Sequence, residues 1–261
     1  MMKRIKVCIP SYGRPKVKTL ERYPDSTLFV CESEEKCYRE LNPGADMVVV
    51  DDAVQGNVAR VRNYILDYMF KSGKADAVVL LDDDMDYIGV FRDRAPRNGW
   101  DVEKLDQEKL YQLIADGVQL AEDFNVKMFG LNCAGTAPKS YARSKPFSLT
   151  QFCGGPFQGF LKNDLRYDEN LPLKEDYDMC LQQALNYGGL LRLNYAFTMS
   201  SQGCKGASQE GGCSTYRNSR EEKREFDKLR KRWGSDVVRY DRGSKRQFDY
   251  NPRIRIPIKG A

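Results

Sequence analysis

Residues 75–86 read ADAVVLLDDDMD: an apolar run from Ala77 to Leu81 passes straight into Asp82, Asp83 and Asp84, and Asp86 follows one residue later. A run that is apolar at every position has no solvent face. It suits a strand covered by helices on both sides, at the centre of a parallel sheet. Adjacent carboxylates repel, so the end of such a strand needs something of opposite charge. In α/β sheets that place, beyond the carboxyl ends of the strands, is where ligands bind.

The pattern around this strand agrees with an α/β fold. IKVCIP (5–10), STLFVCE (26–32) and ADMVVVDD (45–52) read as strands, the last again ending in acids, Asp51 and Asp52. EEKCYREL (34–41) suits a short helix. The next segment sets Val58, Val61, Ile65 and Tyr68 at helical spacing and stops at Gly73. LDQEKLYQLIADGVQLAEDFN reads as a long amphipathic helix and VKMFGLNC as a strand. FCGGPFQGFLKN reads as a strand entered through a glycine turn, KEDYDMCLQQALNYGG as a helix with an acidic start, and LLRLNYAFTM as a further strand. SQGCKGASQEGGCSTYR is a glycine-rich loop, expected to be mobile. The closing segment NSREEKREFDKLRKRWG reads as a helix with a Ser219–Glu222 capping box, a stop at Gly234 and an apolar stripe of Phe226, Leu229 and Trp233.

Composition removes several kinds of chemistry. The 261 residues include no histidine, so neither a Ser-His-Asp nor a Cys-His mechanism can be built, and a general base must be Asp, Glu, Lys, Tyr or Cys. No apolar run approaches the roughly 20 residues of a membrane span, and the start MMKRIKVCIPSYGRP lacks the pattern of a secretory signal. A cytoplasmic monomer is the expectation. The eight cysteines then stay reduced; Cys8, Cys133 and Cys180 sit in apolar segments as buried thiols, and only Cys204 and Cys213 could pair or bind metal. The net charge of +5 is uneven: residues 217–261 carry 15 Lys/Arg against 7 Asp/Glu. A basic end of this kind fits a polyanionic partner.

Two acidic clusters carry the candidate chemistry. Side chains alternate along a strand, so Asp82 and Asp84 are expected on one side and Asp83 on the other. An Asp-x-Asp pair suits a hard divalent cation, Mg²⁺ or Mn²⁺, whose shell is completed by phosphates and water. A solvated acidic turn capped by Lys or Arg is the alternative. The second cluster, Glu175, Asp176 and Asp178 in DENLPLKEDYDMCL, opens a helix. Dipole stabilisation explains acids there, and so does a carboxylate placed as general base.

Taken together, IPSYGRP, GNVARVRN (56–63), LLDDDM, GGPFQGFL and YDENLPLKEDYDMCLQ resemble, over roughly residues 5–200, the nucleotide-sugar glycosyltransferases of the GT-A fold. IPSYGRP, EDYDMCLQ and GGCSTYR are most similar to the TET/JBP-associated DNA glycosyltransferases of phages, kin of the base J glucosyltransferase. The resemblance implies a GT-A-like catalytic domain at 1–200 with a mainly parallel mixed sheet, a mobile loop at 201–217 and a basic helical extension at 218–261. It implies sugar transfer from a nucleotide sugar, by default UDP-glucose, to the hydroxyl of a 5-hydroxymethylpyrimidine in DNA, by default 5-hydroxymethylcytosine. Asp84, with Asp82, would hold Mn²⁺ or Mg²⁺. Pro10, Ser11, Arg14, Arg60, Arg62, Asp83, Lys205 and Arg217 would bind the donor, the last two arginine and lysine side chains from the loop as a lid. Gly154, Gly155, Gln158, Tyr141, Arg143 and Glu175 would meet the acceptor. Asp176 would act as base with inversion at the anomeric carbon, and Asp178, some 200° round the helix, is its rival. The loop APKSYARSKPFSLTQF interleaves aromatic and basic residues, including Lys145 and Phe147, as a stacking surface for a flipped base requires. Rival readings are a glycosyltransferase acting on a saccharide, lipid or protein, a nucleic-acid-binding module with a degenerate pocket, and a nucleotidyltransferase.

Overall fold

The computed structural model describes residues 3–95, 99–132, 141–200, 211–241 and 250–256, with the side chains of 93–100 excepted. Its centre is a ten-stranded sheet in the order β3-β2-β1-β4-β9-β7-β10-β5-β6, with β8 alongside β10. The strands are β1 Ile5–Pro10, β2 Thr27–Cys31, β3 Met47–Val50, β4 Ala77–Leu81, β5 Tyr87–Ala95, β6 Gly99–Lys104, β7 Met128–Asn132, β8 Phe147–Ser148, β9 Phe157–Leu161 and β10 Leu191–Met199. β1 pairs in parallel with β2 and β4, β2 with β3, and β7 with β10, while β9 runs antiparallel between β4 and β7. A short antiparallel pair, β11 Val238–Tyr240 and β12 Pro252–Ile254, lies outside the main sheet. The expected fold class, a mixed and mainly parallel sheet flanked by helices, is the one found.

Helices cover both faces: α1 Lys18–Arg22, α2 Glu35–Leu41, α3 Val58–Lys71, α4 Gln107–Asp123, α5 Glu175–Tyr187 and α6 Ser219–Trp233. Side-chain alternation divides β4 between two cores. Ala77, Val79 and Leu81 join one with residues of α1, α2 and α4, and Val78 and Leu80 join the other with residues of α3, α5 and α6. All five β4 residues are buried, which is why that stretch lacks a polar period. The Phe226–Leu229–Trp233 stripe docks α6 onto the second core as expected.

Three expectations change. The sequence reading assigned nothing to 87–104, where β5 and β6 pair antiparallel at the edge next to β10. Helix α6 is capped not by a Ser219–Glu222 box but by Asn218, whose side chain accepts from the Glu221 N–H at 3.0 Å; Glu222 is buried elsewhere. β4 ends at Leu81, so the acids sit on a turn and strand alternation no longer governs them.

Candidate active site

The acidic turn is built from backbone outward. Neighbours hold the Asp82 N–H and C=O, the Asp83 C=O and the Met85 N–H. Thr19 Oγ1 donates to the Asp82 carbonyl at 2.6 Å and accepts from the Met85 N–H at 3.0 Å, and the Thr19 N–H reaches the Asp83 carbonyl at 3.2 Å. The Asp82 N–H donates to the Pro156 carbonyl at 3.2 Å, tying the turn to the glycine segment before β9. With the backbone fixed, the three carboxylates diverge. Asp83 turns inward against β1: it accepts from Ser11 Oγ at 2.6 Å and from Arg14 Nη1 at 2.8 Å. Burial raises its pKa and Arg14 opposes the rise. Asp84 lies 3.6 Å from the same Arg14 nitrogen, and burial together with the Asp82 and Asp83 charges pushes it up to about 7. Asp82 turns to α3, where Arg62 Nη2 donates to it at 3.0 Å.

Arg62 joins this turn to the second acidic cluster. Its side chain is 3% exposed, yet it donates to Glu175 Oε1 at 2.8 Å and to the Gly155 carbonyl at 3.1 Å as well as to Asp82. Burial works against its charge, but Glu175 and Asp82 more than offset that and raise its pKa. Gly155 in turn donates its N–H to Asp176 Oδ2 at 3.1 Å. A Cβ on Gly155 would lie 3.3 Å from an Arg62 nitrogen and 3.6 Å from Asp176 Oδ2, so the glycine lets both side chains close on the same peptide. Burial and the Asp176 charge push Glu175 up to about 8; burial also raises Asp176, against the pull of Arg62.

Asp176 and Asp178 part company, as the helical period requires. Asp176 is half-buried and faces Gly155. Asp178 is fully buried toward α6, where Trp233 Nε1 donates to it at 2.7 Å; Gln182 Nε2, one turn on along α5, donates at 2.7 Å. Its surroundings are those of a structural carboxylate.

The segment entering α6 lies against the loop after β1. Gly212 N–H donates to the Tyr12 carbonyl at 2.8 Å. Gly211 has φ +77°, and a Cβ there would stand 2.6 Å from the carbonyl oxygens of Tyr12 and Gly13. Both the left-handed backbone and the close approach require glycine. Residues 212–215 form a single 3₁₀ turn, and Cys213 is a free thiol that accepts from Tyr216 Oη at 3.1 Å.

Several expected site residues land elsewhere. Gln158 is fully buried, donating to the Cys153 carbonyl and accepting from Tyr167 Oη at 2.6 Å, so it faces the core rather than an acceptor. Glu175 is likewise committed to Arg62, and Arg62 is a buried strut rather than an open donor ligand. Arg60 pairs outward with Glu169 at 3.1 Å. Arg217 sits 3.0 Å from Glu222, held at the base of α6 rather than reaching over as a lid. Phe147 packs on Phe124, the residue after α4, and pairs with Leu193 near the start of β10, at the end of the sheet opposite the acids. Tyr141 stacks on Phe91 at 4.9 Å, Phe91 on Phe197 at 4.8 Å, and Arg143 donates to the Arg92 carbonyl at 2.9 Å. Pro10 closes β1 and Gly154 is buried beside Gly155. Lys205, Cys204 and Cys133 lie outside the described residues. The sequence reading missed Tyr38, whose hydroxyl joins Ser11 Oγ at 2.8 Å and accepts the Arg14 N–H at 3.1 Å, and Glu34, which accepts the Gly13 N–H at 3.0 Å. Both hold the loop after β1 from α2 and the turn before it, and no local pattern marks them.

Whether these residues fit a divalent cation is decided by charge. Asp82, Asp83, Asp84, Glu175 and Asp176 converge with Arg14 and Arg62; burial first, and the Asp82 and Asp83 charges after it, raise Asp84 against the pull of Arg14 at 3.6 Å. Among the described residues no group of three acidic or cysteine side chains is placed to hold an ion unaided. A cation here would need phosphate and water oxygens to complete its shell, which fits Asp84 with Asp82 as a partial ligand set. Among the described residues, no helix is long and apolar enough to cross a membrane.

Solved structures similar to this chain include the glucosyl-3-phosphoglycerate synthase of Mycobacterium tuberculosis in complex with Mn²⁺, uridine diphosphate and phosphoglyceric acid. It has 11% identity, with 97% of this chain and 90% of that one covered and a TM-score of 0.48. S. aureus TarS 1–349 has 14% identity, 74% and 60% coverage and a TM-score of 0.44. A nucleotide-diphospho-sugar transferase of Desulfovibrio desulfuricans G20, described as putative, has 13% identity, 89% and 99% coverage and a TM-score of 0.42. The chain spans 60% of TarS 1–349 and 36% of the longer TarS structure. No curated protein matches. The model of one family, TET-Associated Glycosyltransferase, matches residues 5–211, and the chain, matched over well more than half its length, belongs to that family.

Proposed function

We propose that this glycosyltransferase moves a sugar from a nucleotide sugar, with UDP-glucose as the default donor, to the hydroxyl of a 5-hydroxymethylpyrimidine in DNA, with 5-hydroxymethylcytosine as the default base. The observation that carries the reading is the link between the two acidic clusters. One buried guanidinium, Arg62, bonds Asp82 on the turn after β4, Glu175 on α5 and the Gly155 peptide that holds Asp176. A group that binds the donor and a group that takes a proton thereby sit on one rigid strut.

Asp176 takes the proton of the acceptor hydroxyl. The acceptor hydroxyl oxygen then attacks the anomeric carbon, and the bond from that carbon to the phosphate oxygen breaks with its electron pair leaving on the nucleoside diphosphate. One displacement inverts the configuration. Burial raises the Asp176 pKa and so strengthens it as a base, while the Gly155 N–H keeps one carboxylate oxygen in place. Asp84, with help from Asp82, would hold Mn²⁺ or Mg²⁺, which when bound supplies charge neutralisation to the departing diphosphate. Asp83, Ser11 and Arg14 form the wall beneath, suited to the ribose or base of the donor.

Family membership supports a DNA acceptor, and so do the exposed cations of the C-terminal unit, among them Arg220, Lys228, Arg230, Lys231 and Arg253. Tyr141, half-buried and stacked on the buried Phe91, is the aromatic candidate for an unstacked base. The test is mass spectrometry of hydroxymethylated DNA after incubation with a panel of nucleotide sugars and Mn²⁺. A sugar adduct on the base, absent with Asp176→Asn, is expected. Transfer only to a saccharide, lipid or protein acceptor would refute the DNA assignment.

A further inference from the structure

Helix α5, which bears the proposed base, has no cap from its N-cap residue: Lys174 has φ −136° and ψ 15° and makes no side-chain cap hydrogen bond. Within the turn Asp176 Oδ1 accepts the Tyr177 N–H at 2.8 Å, and Arg62 of α3 holds Glu175. The residues just before them are gripped from α6. Glu225 Oε2, 1% exposed, accepts the Leu173 N–H at 2.6 Å. Glu222, 4% exposed, holds the ammonium of Lys174, itself 2% exposed, and stands 3.0 Å from Arg217. One turn further along α5, Trp233 and Arg232 of α6 reach the buried Asp178 at 2.7 and 3.4 Å. Residues 173, 174 and 178, which flank Asp176 on both sides, are thus all tied to α6.

We infer that α6 is a working part of the catalytic unit, with Glu222 as the positioning residue that sets where Asp176 stands. The inference rests on reading Asp176 as the base, and it concerns a helix that begins beyond the 5–211 span of the family match. Phe226 and Leu229 already dock α6 on the core. Apolar docking alone needs no buried carboxylates, and each one taken out of water costs free energy unless it is paired. Each of the two reaches the start of α5, Glu222 at Lys174 and Glu225 at the Leu173 N–H, with Arg217 beside Glu222 as a further partner. A positioning role explains why charge is buried there, and the Gly211–Gly212 contact with the loop after β1 ties the same segment to the donor side.

The test uses the full chain with Glu222→Gln, Lys174→Gln and the double variant, and Asp236→Asn as a control on a fully exposed side chain. Glu222→Gln is expected to lower kcat about 10- to 100-fold, the scale of a displaced reacting group, with the KM for the nucleotide sugar within twofold. The two single effects on kcat should not multiply in the double variant, because both break one contact. Hydrogen exchange of the amides of residues 175–178 should speed up in Glu222→Gln while β4 and β9 stay protected. The inference is overturned if kcat stays within twofold of wild type, if the single effects multiply, or if thermal stability falls with no local change in exchange at 175–178. A wild-type chain that transfers no sugar to any acceptor would overturn the functional reading instead, and the exchange measurement would still decide this one.

Discussion

Replacing Arg62 by Met tests the strut at the centre of the site. The substitution keeps much of the volume and removes one cation from between two carboxylates and a carbonyl oxygen. At about 4 Å and an effective dielectric near 20, each lost charge contact is worth about 4 kcal/mol in gross terms. Neither loss is felt in full. Glu175, pushed up to about 8, relieves itself by taking a proton near neutrality. Asp82 has a third of its side chain exposed, and water screens it. What remains is the Gly155 carbonyl left without that donor and the residual cost of a broken buried pair, which together point to about 3 kcal/mol, the low end for such a break. For a chain of this size that lowers Tm by roughly 6–12 °C. Urea unfolding at about pH 9 and at pH 5.5 is the assay. The gap between variant and wild type should narrow at pH 5.5, because Glu175, pushed up to about 8, is then protonated in both and the ion pair is absent from the wild type too. A loss under about 1 kcal/mol at pH 9, or a gap that widens on acidification, would refute the strut.

Four other outcomes follow from the same geometry. Asp176→Asn should cut kcat by about 10²- to 10⁴-fold with donor binding intact, whereas Asp178→Asn should keep turnover and lower Tm; steady-state kinetics with calorimetry reads both, and the reverse result would exchange their roles. Isothermal titration with UDP should show binding that depends on Mn²⁺ and is lost in Asp84→Asn. In the metal-free protein Glu175 is raised from 4.5 to about 8, so its contribution to stability is fully present below about 4.5 and is lost as pH rises through about 8. The free energy of urea unfolding should therefore fall by up to about 1.4 kcal/mol per pH unit across that window, and Glu175→Gln should flatten the slope. If hydroxymethylated DNA is the acceptor, its affinity should fall steeply with salt, and Arg230→Gln with Lys231→Gln should reduce the slope of log K on log salt by about 1 to 2.

Much of the sheet was legible because burial leaves a local signature. A strand covered on both faces reads as an unbroken apolar run, and helices α3, α4 and α5 show their buried stripe at the helical period. The β5–β6 pair escaped because its sequence, YIGVFRDRA then GWDVEK, mixes charge with apolar residues on an edge, where solvent takes one side. In the site, both acidic clusters were visible as runs of like charge. Their partners were not. Arg62 lies 113 residues from Glu175 and Lys174 lies 48 from Glu222; contacts of that separation depend on the fold, and an arginine in an amphipathic helix reads the same whether it faces water or a buried acid. Gln158 failed for the opposite reason. Its glycine-rich surroundings suggest an open loop, but it sits within β9, sealed between strands β4 and β7.

The triple aspartate is tolerable because the fold gives each carboxylate a different neighbour. Asp82 is neutralised by Arg62 and Asp83 by Arg14 and Ser11. Among the described residues Asp84 has only the longer 3.6 Å approach to an Arg14 already bonded to Asp83; burial raises both Asp83 and Asp84, and Asp84 is pushed up to about 7. The chain has thus settled two of its three charges internally and left the third short. A further arginine against Asp84 would have stabilised the turn, but it would also have filled the place a cation and a diphosphate need. The residue least provided for by the protein is therefore the one best suited to a ligand. Unmet charge ranks the acids, which strand alternation could not do. It puts Asp84 ahead of Asp82 as the metal ligand, since Asp82 must give up part of its bond to Arg62 to contribute. If Asp82→Asn weakened Mn²⁺-dependent UDP binding more than Asp84→Asn did, the ranking, and with it the reasoning from unmet charge, would fail.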